Sequence, residues 1–348
     1  MKIIFRVDAS LQIGTGHVMR CLTLAKVLKE NGAKVSFICR KHNGNLIEKI
    51  RAEGFNVVEL ELLQDVQIDN KLAHSHWLGA TQHQDAKECV NILQAKKADC
   101  LIVDHYALDE DWHNELNRYC DKLIVIDDIA DRKFECDVLL NQNLGACEDD
   151  YNNKIPNEST LLLGCDYVLL RPEFAKLREQ ALKKRENTKD IKNILISMGG
   201  SDPDNLTYNI LQNINNDFNI TVVLGSSIPH IEMIKSYAIN KNINVIVDAN
   251  NMAELMLNAD LSIGAGGSTS WERCTLGLPT LLFITADNQK DVAKNLEKVG
   301  AVKIVKDLKQ DLYFILSNLN AWKVMSNKAS QVSDGLGTNQ VAEYILKI

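Results

Sequence analysis

A glycine-rich turn near the start of the chain carries a histidine that could act as a base. Residues 13–20 read IGTGHVMR, between a run typical of a β-strand and a pattern typical of a helix. Gly14 and Gly16 permit close backbone approach, and the amides at a helix start favour negative charge. An unperturbed imidazole pKa of about 6.5 suits His17 to accept a proton near neutrality. An ordinary tight turn with a surface histidine would explain the same letters, and the Gly-Lys-Ser/Thr element of a P-loop is missing.

A second glycine turn follows a strand-like run in the middle of the chain. Residues 197–203 read SMGGSDP, and the proline predicts the first turn of a helix. Amides at Gly199 and Gly200 would then face a bound phosphate. A sharp turn without a ligand is the alternative explanation.

The most specific turn reads IGAGGSTSWE at residues 263–272. Ser268 and Thr269 stand where both hydroxyls and amides can meet a diphosphate. Glu272 lies one turn further along on the face of Ser268, where a carboxylate could accept both hydroxyls of a ribose. A capping contact or a solvated glutamate is the alternative for that residue.

Two weaker motifs also end strand-like runs. TADNQ at residues 285–289 contains Asn288 and Gln289, whose amides can donate and accept hydrogen bonds with sugar hydroxyl and N-acetyl groups. VDHY at residues 103–106 contains Tyr106, which could supply a polar contact to a sugar. Each motif is also typical of an ordinary helix start or a structural turn.

Composition narrows the classes of function. The chain has 348 residues, a formal net charge of -7 and nine cysteines. The acidic balance disfavours a nucleic-acid partner, while a phosphorylated small molecule stays compatible because backbone amides can bind it. The cysteines form no C-x-x-C pair and are interpreted as reduced core residues. No run reaches the length of a membrane span, so we predict a cytoplasmic protein without membrane insertion. No cluster of residues has metal-ligand spacing, and no cofactor is expected.

Short β-branched runs alternate with amphipathic segments, which is typical of parallel sheets covered by helices. In the first half, helices are expected at residues 16–30 and 81–95. The charged segment at residues 171–187 predicts one short helix that joins two domains. Strands of a first sheet are expected at residues 3–7, 35–39, 57–60, 101–103, 123–126, 138–140 and 161–163.

A second alternation begins at residue 193 and predicts a second doubly wound sheet. The expected fold is α/β, with two Rossmann-like domains facing a central cleft. The first is placed at residues 1–170, a connector at 171–190 and the second at 191–348, whose last helix could pack back on the first domain. Ligands of such sheets bind at the carboxyl ends of the strands, so function should concentrate in the loops named above.

These motifs together resemble a known family. Two Rossmann-like domains with an N-terminal glycine loop and a C-terminal GGSTSWE element resemble the GT-B architecture of nucleotide-sugar glycosyltransferases. The resemblance is closer to the UDP-2,4-diacetamido-2,4,6-trideoxy-β-L-altropyranose hydrolases of pseudaminic acid synthesis, and it extends from residue 1 to about residue 298. The segments that carry it read FRVDASLQIGTGHVMRCLTLA, VDHY, YVLLRPEF, SMGGSDP and GAGGSTSWERCTLGLP.

The resemblance implies that water attacks the anomeric carbon with inversion and releases UDP, with His17 as general base. Asp8 is the candidate to hold the imidazole in one tautomer. The uracil is expected near Met252 and Ala253. The resemblance maps further residues to the substrate cleft, namely Arg171, Gly199, Gly200, Ser268, Thr269, Glu272, Asn288 and Gln289.

Two other functions stay open at this point. An inverting GT-B glycosyltransferase would use the same UDP-sugar donor with a hydroxyl acceptor in place of water. A non-catalytic UDP-sugar-binding protein would bind the same ligand and release nothing. The partner in each case is a small-molecule UDP-sugar, and the oligomeric state is not predicted.

Overall fold

The computed structural model describes residues 1–63, 71–200, 202–215, 217–226, 228–286 and 289–348. The chain divides into two compact units. The first comprises residues 1–169 and 337–348, and the second comprises residues 170–336.

A parallel sheet forms the centre of the first unit. Its described strands lie in the order β3-β2-β1-β4-β5-β6-β7. The strands are β1 (Lys2–Val7), β2 (Lys34–Arg40), β3 (Asn56–Leu60), β4 (Ala98–Asp104), β5 (Cys120–Ile126), β6 (Val138–Asn141) and β7 (Thr160–Leu163). The helices are α1 (Gly16–Glu30), α2 (Ile47–Ala52), α3 (Gln82–Ala95) and α4 (Glu110–Leu116).

Side chains of the first sheet alternate between two hydrophobic clusters. In β1, Ile3 and Phe5 pack with α1 on one face, while Ile4 packs with the residues of α3 and α4 on the other. A strand buried on both faces must be apolar at successive positions, which explains the continuous run IIF in the sequence. The order of strands reverses between β1 and β4, so this is the switch point where the loops diverge.

The second unit repeats this arrangement. Its described strands lie in the parallel order β10-β9-β8-β11-β12-β13, with the switch point between β8 and β11. The elements are α5 (Pro172–Asn187), β8 (Asn193–Ser197), α6 (Leu206–Asn213), β9 (Asn219–Leu224), α7 (Ile231–Ala238), β10 (Ile243–Val247), α8 (Met252–Asn258), β11 (Leu261–Ala265), α9 (Thr269–Thr275), β12 (Thr280–Phe283), α10 (Lys290–Lys298), β13 (Lys303–Ile304), α11 (Leu308–Ser317) and α12 (Leu319–Ser330).

The first unit is completed by a helix that comes after the whole of the second. Helix α13 (Gly337–Lys347) packs against α1, and Val341, Ala342 and Ile345 are buried in the same cluster as Ile3 and Phe5. The charged segment expected to join two domains forms α5, which belongs to the second unit.

The predicted fold class of two Rossmann-like α/β domains is confirmed. Eight of the nine cysteines are buried, in agreement with their interpretation as core residues. That interpretation is wrong for Cys147, which is exposed because it lies in a loop after β6.

A buried network of charges fastens the first sheet to α3. Asp85 accepts hydrogen bonds from Arg6 Nη2 at 2.6 Å and from Arg40 Nη2 at 2.8 Å, and all three side chains are fully buried. Its other oxygen accepts a hydrogen bond from Trp112 Nε1 at 3.0 Å. Burial alone would raise the pKa of Asp85, but the two guanidinium groups outweigh it and lower that pKa. The carboxylate therefore stays ionised between strands β1 and β2.

Replacing Asp85 by Ala should lower the free energy of unfolding by about 3 to 5 kcal/mol, because two buried guanidinium groups lose their shared partner. Urea denaturation at neutral pH measures this change. Glu88→Ala is the matched control, since Glu88 also contacts Arg40 at 2.6 Å but is 34% exposed, and it should cost less than about 1 kcal/mol. Equal effects of the two substitutions would show that burial of the pair does not matter.

Candidate functional site

The turn after β1 and the end of β4 bring His17 and Asp104 together at the switch point of the first sheet. His17 is the second residue of α1, and Asp104 is the last residue of β4. Imidazole Nδ1 lies 2.6 Å from Asp104 Oδ1, with 10% of the histidine side chain and none of the aspartate side chain exposed. The imidazole is therefore anchored on one side and reaches the surface on the other.

Arg20 holds the same carboxylate from one turn further along α1. Its Nε donates to Asp104 Oδ2 at 2.6 Å and its Nη2 donates to Oδ1 at 2.7 Å. Burial alone would raise the pKa of Asp104, but the Arg20 charge, then His17, hold that pKa far below its ordinary value. An ionised Asp104 can accept the hydrogen of His17 Nδ1, and in a neutral imidazole bonded in this way Nε2 carries the lone pair. The arrangement gives a neutral imidazole one defined tautomer.

Asp8, the sequence-based candidate to orient His17, is instead part of the buried charge network. Its carboxylate lies 2.7 Å from Arg6 Nη1 and accepts a hydrogen bond from the Arg40 amide at 2.6 Å. The expectation was wrong because Asp8 immediately follows β1, where the sheet's own buried arginines need a partner. The VDHY motif contained the correct residue, Asp104, although sequence reasoning had singled out only Tyr106 there.

An aromatic wall lies beside the imidazole. The Tyr106 ring meets His17 edge-on with 4.6 Å between centroids, and Trp77 stacks on Tyr106 at 5.7 Å. His74 packs on Trp77 at 4.3 Å, and burial lowers the pKa of His74. The Tyr106 hydroxyl donates to Asp128 at 2.7 Å. Sequence reasoning missed His74 and Trp77, whose only signal was an aromatic pair within a stretch of no clear pattern.

The two glycines of this loop, Gly14 and Gly16, do not pack against other residues. Gly14 has a φ of 78°, which favours glycine, and its amide donates to the Ser10 carbonyl at 2.9 Å. A Cβ built on Gly14 or Gly16 would meet no atom within 4 Å. Open space, not tight packing, therefore surrounds this turn within the first unit.

The turn after β8 differs in part from its prediction. Gly199 has a φ of 89°, and no atom lies within 4 Å of a Cβ built on Gly199 or Gly200. The following helix begins at Leu206 and not at the proline, because the Asp202 carboxylate accepts hydrogen bonds from the Leu206 and Thr207 amides at 2.8 and 3.0 Å. Those helix-start amides are already paired, so an anion would have to bind the glycine turn itself.

The turn after β11 has the predicted strand, turn and helix order. Gly267 has a φ of 104°, Ser268 is exposed and Thr269 begins α9. Among the described residues, none accepts a hydrogen bond from the backbone amides of Ser268 or Thr269. These donors and the two hydroxyls are the parts of the turn that could meet a diphosphate.

Gln289 lies against this same turn. A Cβ on Gly266 would come within 3.0 Å of Gln289 Oε1, so only glycine fits there without displacing the glutamine. Gln289 Oε1 accepts a hydrogen bond from the Thr285 amide at 3.0 Å. The structure thus brings the IGAGGSTSWE turn and the TADNQ motif together through Gln289, while Asn288 lies outside the described residues.

Arg171 and Glu272 are brought together as an ion pair within the second unit. Arg171 Nη2 lies 3.1 Å from Glu272 Oε1, and Arg171 Nη1 lies 3.2 Å from Glu173. Burial raises the pKa of Glu272 despite the attraction of Arg171. A ribose hydroxyl would therefore meet a carboxylate that already has a cationic partner.

Met252 and Ala253 open α8 after β10, away from the switch point. Their side chains are 9% and 1% exposed and pack on Phe174 and Leu195. Only their backbone groups could meet a nucleobase.

Across the described ranges, no group of three or more His, Cys, Asp or Glu side chains could hold a metal ion. In that same part of the chain, no helix is both long and apolar enough to cross a membrane.

Comparisons with known proteins match both halves of the chain. Residues 173–343 match the glycosyltransferase family 28 C-terminal domain. An uncharacterized protein of Methanocaldococcus jannaschii is 31% identical over 327 residues, which cover 90% of this chain and 62% of that protein. The chain therefore spans about three fifths of the length of this relative.

A second relative has a named activity. The UDP-2,4-diacetamido-2,4,6-trideoxy-β-L-altropyranose hydrolase of Campylobacter jejuni is 29% identical over 301 residues, which cover 86% of this chain and 97% of that enzyme. The crystal structure of MurG from Acinetobacter baumannii superposes with a TM-score of 0.70 at 17% identity, covering 100% of this chain and 99% of that one. The predicted GT-B-like fold is confirmed by this likeness.

Asp104→Asn should lower the free energy of unfolding by about 3 kcal/mol at pH 7, because Arg20 and His17 lose their ionised partner. The folded-state pKa of Asp104 lies below its unfolded value, so its stabilisation is complete above about pH 5 and is lost as the pH falls below about 4. Urea denaturation of both proteins at pH 7 and at lower pH values measures the difference.

Asp99→Asn is the matched control, since Asp99 lies on the same strand with its side chain 45% exposed. It should change the free energy of unfolding by less than about 1 kcal/mol at every pH. A deficit of Asp104→Asn that stays constant down to low pH would contradict the assigned ionisation of Asp104.

Proposed function

We propose that this protein hydrolyses UDP-2,4-diacetamido-2,4,6-trideoxy-β-L-altropyranose to UDP and the free 2,4-diacetamido-2,4,6-trideoxy sugar, a step of pseudaminic acid biosynthesis. The observation that carries the proposal is the hydrogen bond between His17 Nδ1 and Asp104, which prepares Nε2 as a base beside an open glycine turn. Similarity to the Campylobacter enzyme supports the substrate class.

In this proposal His17 activates a water molecule. Nε2 takes a proton from water as its oxygen forms a bond to C1 of the sugar, and the bond between C1 and the UDP oxygen breaks with inversion. The electron pair of that bond leaves with UDP. Asp104 stabilises the imidazolium that forms, and Arg20 keeps Asp104 ionised while the charge develops. One proton and one base are enough for the step.

In this proposal the second unit binds the nucleotide. The glycine turns after β8 and β11 flank the switch point of the second sheet, where the amides of Ser268 and Thr269 are the donors that could stabilise a departing diphosphate. The apolar wall of Trp77 and Tyr106 beside His17 suits the methyl groups of a deoxy, N-acetylated sugar.

Replacing His17 by Asn should reduce kcat by roughly 10² to 10⁴, because the base is lost while the diphosphate donors stay in place. Steady-state release of UDP measures turnover, and calorimetric titration with UDP should give an unchanged affinity. His83→Asn serves as control, since His83 is 77% exposed and should leave turnover unaltered. Undiminished hydrolysis by the His17 variant would refute its assignment as base.

An inverting glycosyltransferase is the second candidate, since residues 173–343 match a glycosyltransferase domain. The hydrolase should release UDP from the UDP-sugar alone, whereas a transferase needs a hydroxyl acceptor. A binding protein without activity would release nothing in an overnight reaction.

Turnover in ¹⁸O-labelled water tests the bond that breaks. Attack at C1 predicts label in the free sugar and none in UDP, as measured by mass spectrometry or NMR. Label in UDP would mean attack at phosphorus and would exclude the role given to His17.

A further inference from the structure

A buried arginine lies beneath the glycine turns of the second unit. Arg273 in α9 is 2% exposed, and its Nη2 donates to the Ala265 carbonyl at 2.6 Å and to Ser270 Oγ at 3.2 Å. A Cβ built on Gly264 would overlap Arg273 Nη1 and would lie 2.6 Å from the Ser197 carbonyl oxygen. The guanidinium thus fills the space that a side chain at Gly264 would take.

This position is the switch point of the second sheet. Ser197 is the last residue of β8 and Ala265 the last residue of β11, and these two strands are neighbours. Each is followed directly by one of the two glycine turns. The guanidinium therefore lies under the place where an open α/β sheet binds its ligand.

Arg273 forms no ion pair in the described part of the chain, and the Glu272 carboxylate attracts it only from a longer distance. No carboxylate there lies within ion-pair distance of it, and Nε has no hydrogen-bond partner. The adjacent Glu272 carboxylate is bonded to Arg171. Burial lowers the pKa of Arg273 to about 10, so the group still carries its charge at neutral pH. A buried charge without an ion-pair partner is costly, and a bound anion would compensate it.

We propose that Arg273 is the fixed cation that favours a diphosphate over an uncharged ligand at the two glycine turns, acting through the low-dielectric interior beneath them. This inference rests on the proposed function, in which the second unit binds UDP. It adds the source of the preference for phosphate: a buried charge that supplements the exposed backbone amides.

Calorimetric titration of the full chain with uridine, UMP and UDP tests the proposal. Arg273→Gln removes the charge but keeps a donor for the Ala265 carbonyl, and Arg273→Lys keeps the charge. The Gln variant should lose about tenfold or more in affinity for UDP and less than about twofold for uridine, whereas the Lys variant should keep most of the preference for UDP. If the Arg273→Gln variant is only marginally stable, the rise in its Tm with saturating UDP or uridine gives the same comparison.

Arg185→Gln is the matched control. Arg185 is 3% exposed and donates to the carbonyls of Met256 and Ala259, and burial lowers its pKa to about 10 as well. Arg185 belongs to α5, and its partner Ala259 lies just before the amino end of β11, whereas Arg273 contacts Ala265 at the carboxyl end. Replacement of Arg185 should lower stability without changing the ratio of UDP to uridine affinity.

The outcomes separate the two proposals. Equal losses for UDP and uridine in Arg273→Gln, or equal losses in the Gln and Lys variants, would overturn the role of the charge while UDP binding by the unaltered protein stands. If the unaltered protein binds none of the three ligands, nucleotide binding itself is overturned, and the role of Arg273 falls with it.

Discussion

The Asp104 carboxylate is the group on which the first unit's site depends. It has no exposed surface, yet it stays ionised because Arg20 and His17 both face it. Without that charge, nothing would favour the tautomer of His17 that has its hydrogen on Nδ1. The Arg20 guanidinium, one turn along α1, would then be buried beside a neutral residue 104. Electrostatic attraction, as well as packing, therefore fixes the position of α1 relative to the end of β4.

The two units place different chemistry at equivalent points of the same topology. In the first, the switch point between β1 and β4 is rich in ionisable side chains, including Asp104, His17 and Arg20. In the second, the switch point between β8 and β11 presents glycine turns over a buried arginine. Titratable groups suit proton transfer, whereas backbone donors over a permanent cation suit a ligand that must be held without exchanging protons.

Much of the fold could be predicted from the sequence because strands buried on both faces are spelled as short apolar runs. Helix α1 was predicted at its observed limits, since glycine and an amphipathic pattern mark its start and course. The start of α6 was predicted wrongly: Asp202 captures its first amides, and only coordinates reveal that a side chain performs this role. The local sequence pattern predicts secondary-structure elements better than it predicts which side chains form hydrogen bonds with each other.

The same limit applies to the candidate site. His17 could be singled out because its residue type and its loop are unusual together, but its partner is 87 positions away in the sequence. Nothing local distinguishes Asp104 from Asp8, because Asp104 ends β4 and Asp8 immediately follows the neighbouring β1 at the same edge of one sheet. Arg273 was passed over for a related reason, since an arginine in a short helix normally reaches solvent.

Helix α13 follows the whole second unit in the chain, yet its residues Val341, Ala342 and Ile345 belong to the core beneath β1. During translation, the first sheet emerges from the ribosome long before the helix that covers part of it. The apolar face beside α1 therefore stays uncovered in the nascent first unit while roughly half of the protein is still being synthesised. The core of the first unit is completed only by residues distant in sequence, whereas the second unit comprises one continuous stretch of chain.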